Sequence, residues 1–353
     1  MQIDLDSLTR IGSGLNRPEC VLTHSSGCVF VPDWSGNGGI SIIHPDGSVR
    51  HLLAKAGHPL GDESLRPNGI ALEAGGSFLI AHLGETRGAI LRLFVDGSVE
   101  TVLDAVDGEP LPPANFVTVD NRGRLWITVS TRRCPRALAY RADVSDGFIV
   151  LMDEDGARIV ADDLGYTNEC LLAEDGSTLF VNETFARRLS AFSIDANGGL
   201  GSRRTVARFG SGDFPDGLAM DQSGALWITS IISNRLLRVD TNGRVETVLE
   251  DVDPDHLEWV ERAYRDNAVG RPHLDHAAGR RLANISSLAF AGPDGKTAYL
   301  GCLLDDAIHR VDMPVKGRLA NSCNADLGAL GEAIFAQADD ASTSAEAAGV
   351  TPA

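Results

Sequence analysis

Six polar residues recur at a nearly constant distance before a turn glycine. Five stand eight residues before the glycine and the last stands nine residues before it: Glu19, Asn68, Asn115, Asn168, Asp216 and Ser286. This spacing predicts that each side chain occupies the same place in a repeated unit. Converging carboxylate and amide oxygens suit a hard divalent cation, since Ca²⁺ takes roughly six to eight oxygen ligands. The absence of histidine and cysteine from the six positions argues against a structural zinc site. The alternative is a ring that only hydrogen-bonds itself and ordered water.

The six residues open six similar segments, each of which reads as a strand and a turn leading to a second strand. The segments are RPECVLTHSSG, RPNGIALEAGG, PANFVTVDNRG, YTNECLLAEDG, FPDGLAMDQSG and NISSLAFAGPDG. Their turn glycines are 49, 47, 53, 48 and 71 residues apart, and a four-stranded unit repeating every ~40–50 residues is typical of a β-propeller blade. Alternation of apolar and polar residues favours strands over helical repeats. The sequence therefore predicts an all-β, six-bladed β-propeller with four-stranded blades.

The first strand of a propeller blade lines the central channel, so the six polar residues should form a ring at one mouth of that channel. The last repeat supplies three strands, and we expect the N-terminal segment QIDLDSLTRIG to add the fourth and close the circle of blades. Glu19 is then tolerated at the head of an apolar strand because it faces other polar ring members.

The predicted domain organisation is a single six-bladed propeller over residues 1–335 and a disordered tail over residues 336–353. An insertion at residues 251–283, between blades five and six, contains the helix-like segment DHLEWVERAYRDNA. Such an insertion is commonly a lid, and a subunit contact is the alternative. Within it, His273, Asp275 and His276 could hold a metal, but a solvated lid is the favoured interpretation.

The composition excludes several classes of partner. Lys and Arg number 31 against 49 Asp and Glu, a net charge of −18, which disfavours nucleic acids and anionic membranes. No apolar run approaches the roughly 20 residues of a membrane span, and MQIDLDSLTR does not read as a secretory signal, so we expect a cytoplasmic protein. The six cysteines form no CxxC pair and are expected to be free thiols. Neither a GxSxG elbow nor a GxxxxGK phosphate loop is present.

The second strand of each repeat runs back towards the same mouth, so the residues six positions after the turn glycines could form the outer wall of a pocket. These residues are Asp33, His82, Val129, Asn182, Ser230 and Gly301. His82 is the candidate base because histidine changes its charge near neutral pH, although a lone histidine is more often structural. Arg17, Glu169 and Glu183 could also border the mouth. Strand alternation predicts that Glu169 points away from Asn168 unless a bulge re-aims it.

Four ring segments resemble those of a known family. Glu19 in RPEC, Asn115 before VDNRGRLWIT, Asn168 in YTNEC and Asp216 in FPDGLAMDQSGALWIT are similar to the senescence marker protein, gluconolactonase and luciferin-regenerating enzyme family. The resemblance spans roughly residues 15–312. It implies a six-bladed propeller with a divalent cation in its channel, most often Ca²⁺, with Mg²⁺, Mn²⁺ or Zn²⁺ as other options. By residue match, Glu19, Asn168 and Asp216 would be direct ligands, and Asn115 would lie by the metal or its bound substrate or water. The usual activity of the family is hydrolysis of lactones, and related members hydrolyse organophosphates.

The chain departs from the family pattern beside two of these residues. It has Phe116 and Glu169 where the family often has Asp and Gly, and LPPAN stands where an arginine that helps to bind sugar lactones often precedes the Asn-Asp pair. These differences favour a hydrophobic or aromatic lactone over a sugar lactone. The candidate substrate-binding residues are Asn68, Asn115, Phe116 and Glu169.

The functional hypothesis is a metal-dependent lactonase in which Asp216 orients or deprotonates the attacking water, or His82 acts as the base. Asn68 and Asn115 would hold the substrate and the oxygen that gains charge. The expected partner is a small-molecule lactone, and the oligomeric state is left open. The alternatives are a lyase or isomerase that uses the same metal site, and a non-catalytic propeller that serves as a binding platform.

Overall fold

Each of the six repeats folds into a four-stranded antiparallel sheet, and the six sheets are the blades of a β-propeller. The computed structural model describes residues 1–334. The all-β, six-bladed fold predicted from the repeats is confirmed. The predicted disordered tail at residues 336–353 lies outside the described residues.

The strands of the first three blades follow one another along the chain. A 3₁₀ turn (Leu5–Ser7) and strand β1 (Thr9–Ile11) come first. Blade 1 contains β2 (Leu22–Thr23), β3 (Val29–Asp33), β4 (Gly39–Ile43) and β5 (Val49–Leu53). Blade 2 contains β6 (Pro67–Leu72), β7 (Phe78–His82), β8 (Ala89–Leu93) and β9 (Val99–Leu103), and is followed by a hairpin of β10 (Ala105–Val106) and β11 (Glu109–Pro110). Blade 3 contains β12 (Ala114–Val119), β13 (Leu125–Val129), β14 (Gly147–Asp153) and β15 (Gly156–Leu164), with a 3₁₀ turn (Arg136–Ala139) between β13 and β14.

The last three blades repeat the pattern. Blade 4 contains β16 (Thr167–Leu172), β17 (Thr178–Glu183), β18 (Arg188–Ser193) and β19 (Arg204–Arg208). Blade 5 contains β20 (Asp213–Met220), β21 (Leu226–Ile232), β22 (Arg235–Val239) and β23 (Val245–Glu250). Blade 6 contains β24 (Ile285–Ala291), β25 (Thr297–Cys302) and β26 (Ile308–Asp312), and a last 3₁₀ turn follows (Asn321–Asn324).

The N-terminal strand closes the circle of blades. Strand β1 pairs antiparallel with β26, so blade 6 takes its outermost strand from the other end of the chain. Strand β1 covers the outer edge of β26 and links the two ends of the chain in one blade. The fourth strand expected from QIDLDSLTRIG is therefore present, although it is only three residues long.

The insertion between blades 5 and 6 is partly helical, as predicted. It contains α1 (Pro254–Arg265) and α2 (Arg271–Asp275). Helix α1 begins where the carboxylate of Asp253 accepts hydrogen bonds from the backbone N–H groups of Asp255 and His256. Within residues 1–334, neither of these helices nor any other is long and apolar enough to cross a membrane.

Aspartates in two inner turns hold the largest core side chains. Asp120 accepts a hydrogen bond from Nε1 of Trp126 at 3.1 Å, and Asp221 accepts one from Nε1 of Trp227 at 3.0 Å. Both indole rings are fully buried. The donors of the rings are thereby satisfied inside the core, which explains the repeated pattern of Asp, Gly and Leu-Trp in these two blades.

A C-terminal strap, residues 313–334, crosses the propeller face opposite the polar ring. Gly317 of the strap forms an isolated antiparallel β-bridge with Asp221. Carbonyl groups of the strap accept hydrogen bonds from the backbone N–H groups of Ser25 and Gly75, both at 2.8 Å. Leu327, Leu330 and Ile334 are buried in the core shared by blades 1 and 2. The strap therefore joins the inner turns of several blades.

Candidate functional site

The ring residues lie where the inner strands are irregular. The pairing of inner and second strands shifts register at five places: Pro67/Ile70, Ala114/Phe116, Thr167/Cys170, Pro215/Leu218 and Ile285/Ser287. A β-bulge of this kind re-aims side chains that strict alternation would send to opposite faces. Two consecutive residues of an inner strand can therefore face the channel.

A small cavity lies at the level of these bulges. It is lined by Glu19, Cys20, Asn68, Gly69, Asn115, Phe116, Asn168, Glu169, Asp216 and Ser286. The structure thus brings all six ring residues together, with Phe116 and Glu169 beside them. The bulge in β16 is what places Glu169 on the same cavity as Asn168.

Hydrogen bonds between neighbouring blades orient the amide groups of the ring. Asn168 donates through Nδ2 to Oγ1 of Thr184 at 3.0 Å, and this hydroxyl donates to the carbonyl of Pro215 at 2.8 Å. Asn68 donates through Nδ2 to the carbonyl of Asn115 at 2.9 Å. Both amide nitrogens donate to neighbouring protein atoms. The amide oxygens of Asn68 and Asn168 therefore remain available to a ligand in the cavity.

Side chains of the second strands hold the bulges of the next blade. Asn182 donates to the carbonyl of Asp216 at 3.0 Å, and Oγ1 of Thr229 donates to the carbonyl of Ser286 at 2.7 Å. Oγ of Ser286 in turn donates to the carbonyl of Glu19 at 2.8 Å. Asn182, predicted to border the pocket, therefore supports the ring from behind and is not part of the cavity lining.

Three carboxyl groups, those of Glu19, Glu169 and Asp216, line this cavity. Burial raises the pKa of Glu19, and nearby guanidinium groups, that of Arg17 first, oppose the rise. Burial also raises the pKa of Asp216 well above its usual range, and the charges of Glu19 and Glu169 raise it further. The pKa of Glu169 is raised to about 8 by burial, against a 2.9 Å hydrogen bond from the N–H of Leu218. The cavity therefore concentrates acidic groups that a bound cation would stabilise.

The donor set fits a hard divalent cation. Oδ1 of Asn115 is buried and has no hydrogen-bond partner within residues 1–334. With the carboxylates of Glu19 and Asp216 and the amide oxygen of Asn168, it completes an all-oxygen set of the kind Ca²⁺ prefers. The one sulfur in the lining belongs to Cys20, and burial raises the pKa of that thiol. A protonated thiol is a poor metal ligand, so the oxygens define the site.

A mainly apolar channel adjoins the cavity and extends towards the strap. Phe116 and Glu169 border both spaces, and residues 318–322 of the strap line the channel. A side chain on Gly69 would come within 2.5 Å of the Phe116 ring. Phe116 therefore packs on the backbone of the neighbouring blade and forms the boundary between the cavity and the inner channel.

His82 lies outside the lining of the cavity. Its side chain is 1% exposed, Nδ1 accepts a hydrogen bond from the N–H of Arg66 at 3.1 Å, and Nε2 is 3.5 Å from Glu63. Burial lowers the pKa of His82 to about 4, so the ring is neutral at pH 7. Of the two predicted bases, Asp216 is the one that the geometry places on the cavity.

Two arginines affect the ionisation of the ring acids. Arg17 pairs with Oε2 of Glu19 at 2.6 Å, and its guanidinium lies 4.6 Å from the ring centre of Trp34. Arg136, from the 3₁₀ turn in blade 3, donates to the hydroxyl of Tyr166 at 2.8 Å. Its charge, like that of Arg17, opposes the rise that burial causes in the pKa values of Glu19 and Asp216.

The aromatic wall is a cluster of four side chains next to Arg136: Tyr140, Tyr166, Phe185 and Phe214. The centres of neighbouring rings are 4.8–5.8 Å apart. The insertion packs against the wall, because the Tyr264 hydroxyl donates to the carbonyl of Phe185 at 2.6 Å. The helical insertion and the blade 3 turn thus flank the same aromatic cluster.

A second group of potential metal ligands lies in blade 6. Cys302, Asp305 and His309 bring ligand atoms within 4.8 Å of one another. Asp305 is already paired with Arg10 at 2.8 Å and with His309 at 3.0 Å. The guanidinium of Arg10 therefore already balances the carboxylate charge that a metal ion would need. The central cavity remains the candidate metal centre.

His273 in the insertion has structural partners. Within residues 1–334, His273, Asp275 and His276 do not come together as a metal-ligand group. His273 stacks on Trp259 with ring centres 4.0 Å apart, and its Nδ1 accepts a hydrogen bond from the N–H of Gly270 at 3.0 Å.

Replacement of Glu169 by glutamine is expected to flatten the pH dependence of stability in the chelated protein. An unfolded glutamate ionises near its ordinary pKa of 4.5, whereas folded Glu169 keeps its proton up to about 8. Folding then takes up a proton between these values, so stability falls as the pH rises through this range. Urea denaturation at pH 5 and pH 8.5 measures the difference, with Glu174→Gln, in an exposed turn of the same blade, as the control. The same loss of stability in wild type and Glu169→Gln would contradict this assignment.

Sequence reasoning missed Arg136 and the aromatic wall. One signal was available: the glycine separation of 53 residues in blade 3 exceeds the 47–49 residues of the other uninterrupted repeats. The extra residues form the long connection between β13 and β14 that carries Arg136 and Tyr140. Tyr166 and Phe185 carried no such signal, because they flank strands of ordinary length.

Comparison with known proteins agrees with this architecture. Regucalcin from Danio rerio is 26% identical over 240 residues, which cover 65% of this chain and 77% of that protein. A gluconolactonase from Xanthomonas campestris has a similar structure, with a TM-score of 0.62, 20% identity, and coverage of 87% of this chain and 89% of that chain. A calcium-binding protein, regucalcin, from Agrobacterium tumefaciens gives a TM-score of 0.60 at 17% identity, with coverage of 88% and 95%. At these identities the two structures show a shared fold.

The family assignment rests on a longer match. The model of the SMP-30/Gluconolactonase/LRE-like region matches residues 61–250, more than half of the 353 residues. This stretch contains four of the six ring residues, Asn68, Asn115, Asn168 and Asp216. The chain therefore belongs to the SMP-30/gluconolactonase/LRE-like family.

Proposed function

We propose that this protein is a metal-dependent lactonase whose cation, most often Ca²⁺ in such an oxygen-rich site, is held by Glu19, Asn168 and Asp216 with Asn115 beside it. The observation that carries the proposal is the central cavity itself. It combines buried carboxylates with the buried Oδ1 of Asn115, which has no hydrogen-bond partner within residues 1–334. Membership of a family whose relatives include a gluconolactonase and calcium-binding regucalcin supports the choice of reaction and of cation.

The proposed substrate is a hydrophobic or aromatic lactone. Phe116 lines the cavity, and the adjoining channel is bordered mainly by apolar side chains such as Leu171 and Leu218. Apolar surfaces of this kind favour apolar ligands over polyhydroxylated sugars. The insertion at residues 251–283 is proposed to act as a lid at the mouth of the polar ring, since it packs on the aromatic wall.

In the proposed mechanism a bound divalent cation supplies Lewis-acid polarisation of the ester carbonyl and a lowered pKa for an attacking water. The residues of the chain do the rest. Asn68 and Asn115 position the lactone through their amide groups and stabilise the oxygen that gains charge. Asp216 would hold the attacking water, accept its proton and return it to the alkoxide that leaves as the lactone ring opens. Glu169 completes the polar lining of the cavity.

The proposal is tested by lactone hydrolysis, followed with a pH indicator, on aromatic, alkyl and sugar lactones. Each lactone is measured with the protein as purified, after chelation, and after Ca²⁺, Mg²⁺, Mn²⁺ or Zn²⁺ is added back. We expect activity that disappears on chelation and returns with the cation, and a preference for aromatic or alkyl lactones. A protein that binds the cation but hydrolyses none of the lactones would favour a lyase, an isomerase or a binding platform instead.

A further inference from the structure

A second ring of side chains lies three residues after the polar ring on the inner strands. This apolar ring keeps its offset in all six blades and consists of Leu22, Ala71, Thr118, Leu171, Ala219 and Ala289. All six residues line the inner channel next to the cation cavity. The residue before each of them, such as Val117 or Leu218, is no more than 5% exposed, whereas most of the apolar ring is half-buried. The apolar ring therefore faces the open space of the inner channel.

The inner channel has room for an extended aliphatic chain. Each inner strand contributes three or four residues to its wall, which gives a length of roughly 10 Å at about 3.3 Å per residue. A chain of about eight carbons has a similar length, since a C–C bond is about 1.5 Å. The volume of about 140 Å³ is close to that of an apolar cavity of about 150 Å³ that stays dry and binds benzene. An apolar ligand in this space is therefore favourable.

A guanidinium group lies at the strap end of the inner channel. Arg318 lines the channel and is half-buried, and it donates to the carbonyl of Leu172 and, at 3.8 Å, to the sulfur of Met220. Neither acceptor carries a charge, and Arg318 forms no ion pair with an acid of residues 1–334. Burial lowers the pKa of Arg318, and the opposing charge of Glu174 comes from an exposed residue outside the lining. The positive charge is therefore left without a close counter-charge in the described part of the chain.

The two ends of the inner channel differ. At one end Phe116 and Glu169 border both the channel and the cation cavity. At the other end Ala320 and Asn321 of the strap line the channel and are also exposed to solvent. A ligand can therefore place its polar group at the strap, next to Arg318, and its apolar part in the interior.

We propose that the inner channel binds a medium-chain aliphatic carboxylate, with its chain along the apolar ring and its carboxylate on Arg318. A carboxylate supplies the negative charge that the guanidinium lacks and accepts its remaining N–H groups. The apolar ring removes the methylene groups of the chain from water. A neutral chain leaves the charge of Arg318 uncompensated, and a cationic chain is repelled by it. This site is separate from the polar ring and needs no bound metal.

Calorimetry on chelated protein tests the site apart from the proposed cation. The probes are octanoate, its neutral amide octanamide, and butyrate, which keeps the carboxylate on a shorter chain. The variants are Arg318→Gln, Arg318→Lys and Thr118→Phe, which places a larger side chain in the apolar ring. Lys316→Gln is the matched control, because Lys316 is an exposed cation on the same strap. Circular dichroism establishes that each variant is folded.

We expect wild type to bind octanoate about 10-fold or more tightly than octanamide, since hydrogen bonds between charged groups are the strong ones. Octanoate should bind about 100-fold more tightly than butyrate, because about four more methylene groups leave water. In Arg318→Gln the ratio of octanoate to octanamide affinity should fall to about one. It should recover in part in Arg318→Lys and stay unchanged in Lys316→Gln. Thr118→Phe should weaken octanoate and octanamide alike.

Several results would overturn the inference. They are no binding of octanoate to wild type, equal affinity of wild type for octanoate and octanamide, and equal affinity for octanoate and butyrate. A ratio that survives in folded Arg318→Gln, or unchanged octanoate binding in folded Thr118→Phe, would place the acid elsewhere. The wild-type ratios decide the matter even where a variant fails to fold.

The outcome is separable from that of the proposed function, because the titrations contain no divalent cation and no lactone. Selective binding of octanoate by a protein that hydrolyses no lactone would keep the carboxylate site and remove the lactonase. Cation-dependent hydrolysis of lactones by a protein that does not bind octanoate would do the reverse.

Discussion

Asp216→Asn is expected to lower kcat/KM for lactone hydrolysis about 10³-fold or more, because Lewis-acid catalysis contributes several kcal/mol and each 1.4 kcal/mol is about a factor of ten. The substitution keeps the size of the side chain but removes a carboxylate ligand and the proposed proton acceptor. The carbonyl of Asp216, which Asn182 holds at 3.0 Å, is untouched, so the bulge should persist.

The control for this variant is Asp213→Asn on the same strand. Asp213 pairs with Arg235 at 2.9 Å and is not part of the cavity lining. Its replacement should cost stability without a comparable loss of turnover. Steady-state kinetics and circular dichroism on both variants make the comparison. A folded Asp216→Asn protein with wild-type kcat/KM would contradict the mechanism.

The same kinetics separate Asp216 from the other predicted base. His82→Gln should retain most of the turnover and an unchanged pH profile between pH 6 and pH 8, since His82 lies off the cavity and is already neutral there. If His82→Gln instead removed an ionisation from the pH profile, His82 would be the base that accepts the proton of the attacking water.

A bound divalent cation is expected to raise the melting temperature of the protein by about 3–8 °C at saturating concentration, since a ligand at 100 times its dissociation constant adds about 2.7 kcal/mol. The physical reason is the cluster of Glu19, Asp216 and Glu169, whose charges are buried together. With the pKa values of these groups raised in the folded chain, the cation-free protein loses stability as the pH rises through them. The increase on adding Ca²⁺ should therefore be larger at pH 8 than at pH 5.5.

Thermal unfolding of chelated and Ca²⁺-loaded protein at the two pH values measures this effect. Glu19→Gln combined with Asp216→Asn should abolish the increase, because it removes both negatively charged ligands. Comparison of Ca²⁺ with Mg²⁺, Mn²⁺ and Zn²⁺ ranks the cations that the site accepts. An increase that is independent of pH, or that survives in the double variant, would place the stabilising cation elsewhere.

The repeat structure made the fold predictable. Turn glycines at regular intervals gave the number of blades, and the short N-terminal strand was expected because blade 6 lacked one. The polar ring was also predictable, since a constant offset from Gly27 or Gly224 carries over from sequence to position in a blade. Glu19 and Asp216, which have the same offset from their turn glycines, accordingly line one buried cavity.

Departures from regular strand geometry limited the prediction of the remaining site residues. Strict alternation sends Glu169 away from Asn168, and only the bulge in β16 brings both to the cavity. His82 was placed by the same count of residues, but its burial against Arg66 and Glu63 depends on loop packing that periodicity does not describe. The strap makes long-range contacts between irregular segments, which have no local sequence signal, and the connection that carries Arg136 was signalled only by the longer repeat of blade 3.

Calorimetric titration of chelated protein with Ca²⁺ measures whether the polar ring binds one divalent cation. We expect one site per chain in wild type, loss of that site in Glu19→Gln and Asp216→Asn, and its retention in Asp305→Asn, which alters the blade 6 cluster. Binding that persists in the two ring variants, or that disappears only in Asp305→Asn, would rule out the ring as the cation site and move the metal to blade 6.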